Sequence, residues 1–178
     1  MKRLQKATLL AALAEKLREA GSWCGETHLQ KAVYFFQELL GVPTEFEFIL
    51  YKHGPFSFDL RDEITAMRAD GLLELKPMPF PYGPSLVPTR EGLGLLGAFP
   101  KTLSRYEKVI NFVAENIGNR KAADLERLAT ALYITREGQA PTTIKGRAIR
   151  MHELKPHISV EEAKYAISGL DEIISQCT

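Results

Sequence analysis

Apolar residues recur at helical spacing through most of the chain. Leu10, Leu13, Ala14 and Leu17 mark one face of a first helix, which Gly21 is placed to end. A second helix is predicted from Thr27, where Thr27-His28-Leu29-Gln30 has the form of a capping box, through Leu29, Ala32, Val33, Phe36 and Leu39 to Gly41. After Pro43 the period shortens: Glu45-Phe46-Glu47-Phe48 alternates and Ile49-Leu50-Tyr51 turns apolar, which predicts a strand over 45–51 packed on the domain. A turn at His53-Gly54-Pro55 precedes a third helix, capped by Ser57, carrying Leu60, Ile64 and Met67 inward and ended by Gly71.

Residues 72–75 and 85–87 read as two short strands joined by a proline-rich tip, and Thr89 opens a short helix that runs to Phe99 before Pro100 stops it. Helix, helix, strand, helix, hairpin, helix is the winged-helix order. Beyond Pro100, Leu103, Tyr106, Ile110, Val113 and Ile117 form one helical stripe, and Leu125, Leu128, Ala129 and Leu132 the next. A loop over 138–143 follows, and a capping box at Ser159-Val160-Glu161-Glu162 opens the last helix, with Ala163, Ala166, Ile167, Leu170 and Ile174 on its inner face. The expected fold is mainly α with a small β-hairpin. A winged-helix-like unit spans 1–99 and a helical tail spans 100–178, the two sharing one core. Leu13, Leu17, Leu29, Val33, Phe36, Leu60 and Ile64 are the expected core of the first three helices.

Composition narrows what such a fold does. The 178 residues carry 23 basic and 22 acidic side chains, a net charge of +1, so the molecule as a whole has no field to draw DNA or an anionic membrane. The apolar runs are short or periodic and the first residues do not form a signal-peptide core, which predicts a cytoplasmic protein without a membrane segment. Cys24 and Cys177 lie far apart without CxxC spacing, as expected of thiols in a reducing compartment.

Candidate chemistry is sparse. Gly92-Leu93-Gly94-Leu95-Leu96-Gly97 matches GxGxxG by letter, but no parallel strand precedes it and Pro100 cuts its helix short; close packing is the better reading of these glycines. His28, His53, His152 and His157 are scattered, and Pro156 breaks the one pair that approaches HExxH spacing, so neither a metal nor another cofactor is expected. The third helix holds Asp59, Asp62, Glu63 and Asp70 against Arg61 and Arg68, a balance that repels phosphates. The best basic patch is Lys145, Arg147, Arg150 and Lys155, opposed by Glu153 alone, and it is the element a DNA-binding winged-helix regulator would have to use. In the tip Pro77-Met78-Pro79-Phe80-Pro81-Tyr82-Gly83-Pro84, prolines alternate with large apolar residues. Such a segment cannot extend a sheet, and it either projects Met78, Phe80 and Tyr82 as a preorganised binding surface or folds back over the helical tail.

Over 26–99 the chain resembles the Panacea antitoxin domain family, which includes SocA-type antitoxins and many phage-associated proteins. Leu29-Gln30-Lys31-Ala32-Val33-Tyr34-Phe35 is similar to that family's Leu-Gln-Lys-Leu-Leu-Tyr-Phe helix, and Tyr51-Lys52-His53-Gly54-Pro55-Phe56-Ser57 to its Tyr-Gly-Pro turn, with His53 where the family often has tyrosine. The resemblance implies a domain that binds a protein, in some members a toxin encoded beside it, without enzymatic activity of its own. Tyr51, His53, Gly54 and Pro55 would then form a structural turn, Gly54 and Pro55 reversing the chain into the third helix. The leading expectation is a non-enzymatic, antitoxin-like, protein-binding regulator. The alternative is a DNA-binding transcriptional regulator using residues 145–155.

Overall fold

A computed structural model describes residues 1–138 and 140–177. It is mainly helical, with two small antiparallel hairpins. The elements are α1 (Arg3–Glu19), α2 (Glu26–Tyr34) widening into a π-helical turn (Phe35–Leu39), β1 (Ile49–Tyr51), β2 (Gly54–Phe56), α3 (Phe58–Ala69), β3 (Leu73–Lys76), β4 (Ser85–Pro88), α4 (Arg90–Ala98), α5 (Pro100–Ile117), α6 (Ala122–Thr135), α7 (Ile144–Leu154) and α8 (Val160–Ser175). β1 pairs with β2 and β3 with β4 as separate two-stranded sheets, so what remains of the strand expected over 45–51 makes a hairpin of its own with Gly54–Phe56. None of the described helices is long and apolar enough to cross a membrane.

Contacts divide the chain into two compact units. One comprises Met1–Phe48 with Ser57–Arg120, the other Ile49–Phe56 with Lys121–Thr178. Pro100, read from the sequence as the subdomain break, instead opens α5 inside the first unit, where a first-turn proline loses no helical hydrogen bond.

In the first unit α1 is the hub. It was expected to bury one stripe, yet every residue from Ala7 to Ala14 is buried, because its short alanines let α2, α4, α5 and β4 close on it from several sides. Leu13, Leu17, Leu29, Val33, Phe36, Leu60 and Ile64 are all buried, as their spacing predicted. Ser57 caps α3 by accepting from the Leu60 N–H at 3.2 Å.

Two sequence expectations fail here for one reason. The Thr27–Gln30 capping box does not form: α2 starts at Glu26 behind Gly25, with no side-chain cap. Gln30 is fully buried, donating to the Ser57 carbonyl at 2.9 Å and accepting from the Ser57 N–H at 3.0 Å. Seven residues on, within the π-helical turn, Gln37 treats Phe46 the same way, accepting from its N–H and donating to its carbonyl, both at 2.9 Å. That pairing, with Glu45 at φ 61, replaces the first half of the strand predicted over 45–51 and leaves only Ile49–Tyr51 extended and paired.

The second unit packs α6 against α7, α8 and β2 around Leu125, Leu128, Leu132, Met151, Ile167 and Leu170. The Ser159–Glu162 capping box is present at the start of α8. Of the loop expected over 138–143, Gln139 lies outside the described residues; the rest connects α6 to α7.

The glycines of the GxGxxG run are separated by their surroundings. A Cβ on Gly92 would lie 2.1 Å from the Leu72 carbonyl oxygen, whereas one on Gly94 would meet nothing within 4 Å. Gly92→Ala should therefore destabilise by about 1–3 kcal/mol through a forced backbone shift, and Gly94→Ala should be neutral or stabilise by up to about 1 kcal/mol through helix propensity. Urea unfolding of the two variants checks the contrast; equal effects would mean that α4 does not lie against Leu72 as described.

Candidate functional site

β3 and β4 pair from Leu73 opposite Pro88 to Lys76 opposite Ser85, and the proline-bearing segment between them forms the tip. Four prolines deprive that segment of ladder donors, so it leaves the sheet. Phe80 is 97% exposed, Tyr82 52% and Met78 36%. The tip projects rather than folding its apolar side chains away. Its base is held by an aromatic row: the Tyr82 ring lies 4.8 Å from Trp23, and Trp23 lies 4.3 Å from His28 in an edge contact.

His28 closes that row inside the protein. Its Nε2 is 2.8 Å from the Arg120 carbonyl, which can only accept, so the neutral ring carries its proton there and leaves Nδ1 without a hydrogen-bond partner among the described residues. Burial pushes the His28 pKa below the ordinary 6.5, the Arg120 carbonyl opposing in part. Beside it, burial raises the Cys24 thiol to about 12, with the Arg18 charge acting the other way, which makes Cys24 an inert core residue.

Between α3 and the β3–β4 hairpin runs a groove of about 300 Å³, its floor formed by Trp23, Ile64, Leu75 and Leu86. Arg61, Ile64, Thr65 and Arg68 all line it, a single i, i+3, i+4, i+7 stripe of α3. The acidic count that marked this helix in the sequence conceals a sorting by face. Glu63 and Asp70 are taken by Arg3, at 3.1 and 2.7 Å, so the side toward the groove is cationic and apolar.

No family model matches the chain, and no curated protein matches it.

The other residues singled out from the sequence lie in the second unit. The basic segment is largely engaged: Arg147 is buried and bidentate on Asp171, Arg150 meets Glu137 at 3.1 Å and Glu153 at 3.6 Å, and Lys145 alone of the four is exposed without an ion pair among the described residues. Lys155 is buried and donates to the carbonyls of Tyr51 and Lys52; burial lowers its pKa, with Glu126 opposing. The reversal of the Tyr51–Ser57 motif is at Lys52-His53, and Gly54 and Pro55 begin the returning strand opposite Tyr51 and Leu50 rather than turning the chain into α3. Gly54 has φ 83, a conformation that a side chain would strain, while the exposed His53 ring lies 3.6 Å from Glu126.

Trp23 and the arginine stripe were not found from the sequence. The lone tryptophan in an otherwise polar turn was the available signal, whereas the sorting of α3 charges needed the position of Arg3.

A histidine with a depressed pKa stabilises the fold where it is neutral. Below about pH 6.5 the unfolded chain takes up the proton that native His28 resists, so stability falls as pH drops through that window. Wild type should lose stability on going from pH 7.5 to 5.5 more steeply than His28→Gln, the difference in slope being at most about 1.4 kcal/mol per pH unit. Chemical unfolding across that range measures it, and parallel curves would remove His28 from the account.

Proposed function

We propose that the chain is a non-enzymatic, protein-binding regulatory module of the antitoxin-like kind, acting in the cytoplasm through a winged-helix-like unit whose wing is the β3–β4 hairpin. The observation that carries this reading is the tip. A nearly fully exposed phenylalanine beside exposed methionine and tyrosine, on a proline-stiffened loop anchored by Trp23, loses little entropy on binding and supplies the residue types that dominate interface centres. The order α1, α2, α3, β3–β4 supports the winged-helix reading, and the similarity of Leu29–Phe35 and Tyr51–Ser57 to the Panacea motifs supports an antitoxin-like role, with a toxin encoded nearby as the first partner to try.

DNA binding through Lys145, Arg147, Arg150 and Lys155 is the less favoured reading. Arg147, Arg150 and Lys155 already answer carboxylates or carbonyls within the fold, and freeing them for phosphates would break those bonds.

Replacing Phe80 and Tyr82 together by serine tests the reading. Affinity for the protein encoded by the adjacent reading frame, measured by titration calorimetry, should fall by about 2 kcal/mol or more while the melting temperature stays within a few degrees of wild type. Undiminished affinity, or salt-sensitive DNA binding lost on removing Arg150 and Lys145, would overturn it.

A further inference from the structure

We infer that the groove between α3 and the β3–β4 hairpin takes an acidic peptide segment that inserts one large apolar side chain; this rests on the reading of this face as protein-binding and names the chemistry of its partner. The floor is apolar, and Leu75 on it is 39% exposed, a half-covered surface that another apolar group can complete. The volume of about 300 Å³ is at the small end for ligand pockets and suits one anchoring side chain rather than a broad body.

The rim selects for negative charge. Arg68 has no ion pair or side-chain hydrogen bond among the described residues, so its guanidinium is available to a carboxylate in the bidentate geometry arginine favours. Arg61, one face-repeat earlier, stacks at 4.9 Å over Phe58 and is no closer than 3.8 Å to Asp62, a loose pairing that a better-placed carboxylate can displace. α2 begins at Glu26 behind Gly25 with no side-chain cap, and Gly25, Glu26 and Thr27 at the positive end of that helix also line the groove. Glu26 is the one carboxylate on the lining, set against two guanidinium groups and a helix N-terminus.

A nucleic-acid backbone fits these features less well. Its phosphates would find the two arginines but leave the apolar floor unfilled. An acidic peptide with an apolar anchor satisfies floor and rim together.

The test is a phage-displayed library of short random peptides selected on the full chain and on Arg61→Glu/Arg68→Glu, with Arg61→Gln/Arg68→Gln as a milder variant and circular dichroism to establish that all three fold alike. Trp23 is the only tryptophan and lies on the groove floor, so its emission reports occupancy directly. Wild type is expected to enrich peptides combining Asp or Glu with a large apolar residue. These should bind saturably, weaken with salt, lose about tenfold or more in affinity on the glutamine variant, and give way to lysine- and arginine-bearing peptides on the glutamate variant. No enrichment, enrichment without an acidic excess, or equal affinity for all three proteins would overturn the inference. Competition by duplex DNA with the same arginine dependence would reassign the groove to nucleic acid, and self-association lost in the glutamate variant would reassign it to a second copy of the chain; either outcome overturns it. If the calorimetric partner needs Phe80 and Tyr82 but tolerates both arginine variants, the groove inference falls and the protein-binding reading stands; if it is indifferent to all of them, both fall.

Discussion

Two glutamine side chains, Gln30 buried and Gln37 half-buried, set the frame on which the rest of the first unit depends. A primary amide offers one donor side and one acceptor side, the pairing a neighbouring strand would offer, so Gln30 can satisfy both backbone groups of Ser57 and Gln37 both backbone groups of Phe46. These are the points where the chain leaves the first unit as the β1–β2 hairpin and re-enters it to begin α3. Backbone groups buried without water need partners, and once Gln30 supplies them the start of α3 has little freedom. Ser57 then turns its own hydroxyl to cap the helix, coupling the clamp to the direction of α3.

The groove inherits its shape from that direction. With its first turn held, α3 presents Arg61, Ile64, Thr65 and Arg68 to the hairpin and Glu63 with Asp70 to Arg3. A helix that is acidic by count thereby becomes cationic on the face that lines the groove. The hairpin completes the opposite wall, and Trp23 joins groove to tip by packing under Tyr82 while closing over His28. Tip and groove are in this way continuous parts of one surface, apolar at the tip and on the groove floor and basic at the groove rim.

Much of this was legible in the residues and some was not, for physical reasons. Helical periodicity located α1, α2, α3, α5, α6 and α8 but not α7, whose residues were read only as a basic segment, and Leu29, Val33, Phe36, Leu60 and Ile64 were correctly placed in the core, because burial on one face is what creates the period. The caps at Ser57, Thr89 and Ser159 were readable because they are local. Gln30 was misread for the same reason: Thr-x-x-Gln looks like a local capping box, and only a contact 27 residues away reveals a clamp. The strand over 45–51 was overdrawn because Gln37, not another strand, is the partner of Phe46. Of the candidate site residues, proline spacing placed Phe80 and Tyr82 on a loop outside the sheet but left open whether they project or fold back, and the engagement of Arg147 by Asp171 and of Lys155 by two carbonyls required α8 and the β1–β2 turn to arrive from elsewhere in the sequence. Charge runs are therefore the least transferable of the sequence signals here, since their meaning depends on long-range partners.

The clamp is the most direct point at which to test the account. Gln30→Leu keeps roughly the volume of the side chain and removes both hydrogen bonds, leaving the Ser57 N–H buried without a partner at about 1–3 kcal/mol, while the Ser57 carbonyl keeps the Arg61 N–H. Native-state hydrogen exchange on this variant, with urea unfolding alongside, should show a matching loss of stability and faster exchange at Ser57 and Leu60, with the β3–β4 amides following as α3 loosens. Wild-type stability and unchanged protection at those amides would contradict the claim that Gln30 positions α3 and, through it, the groove.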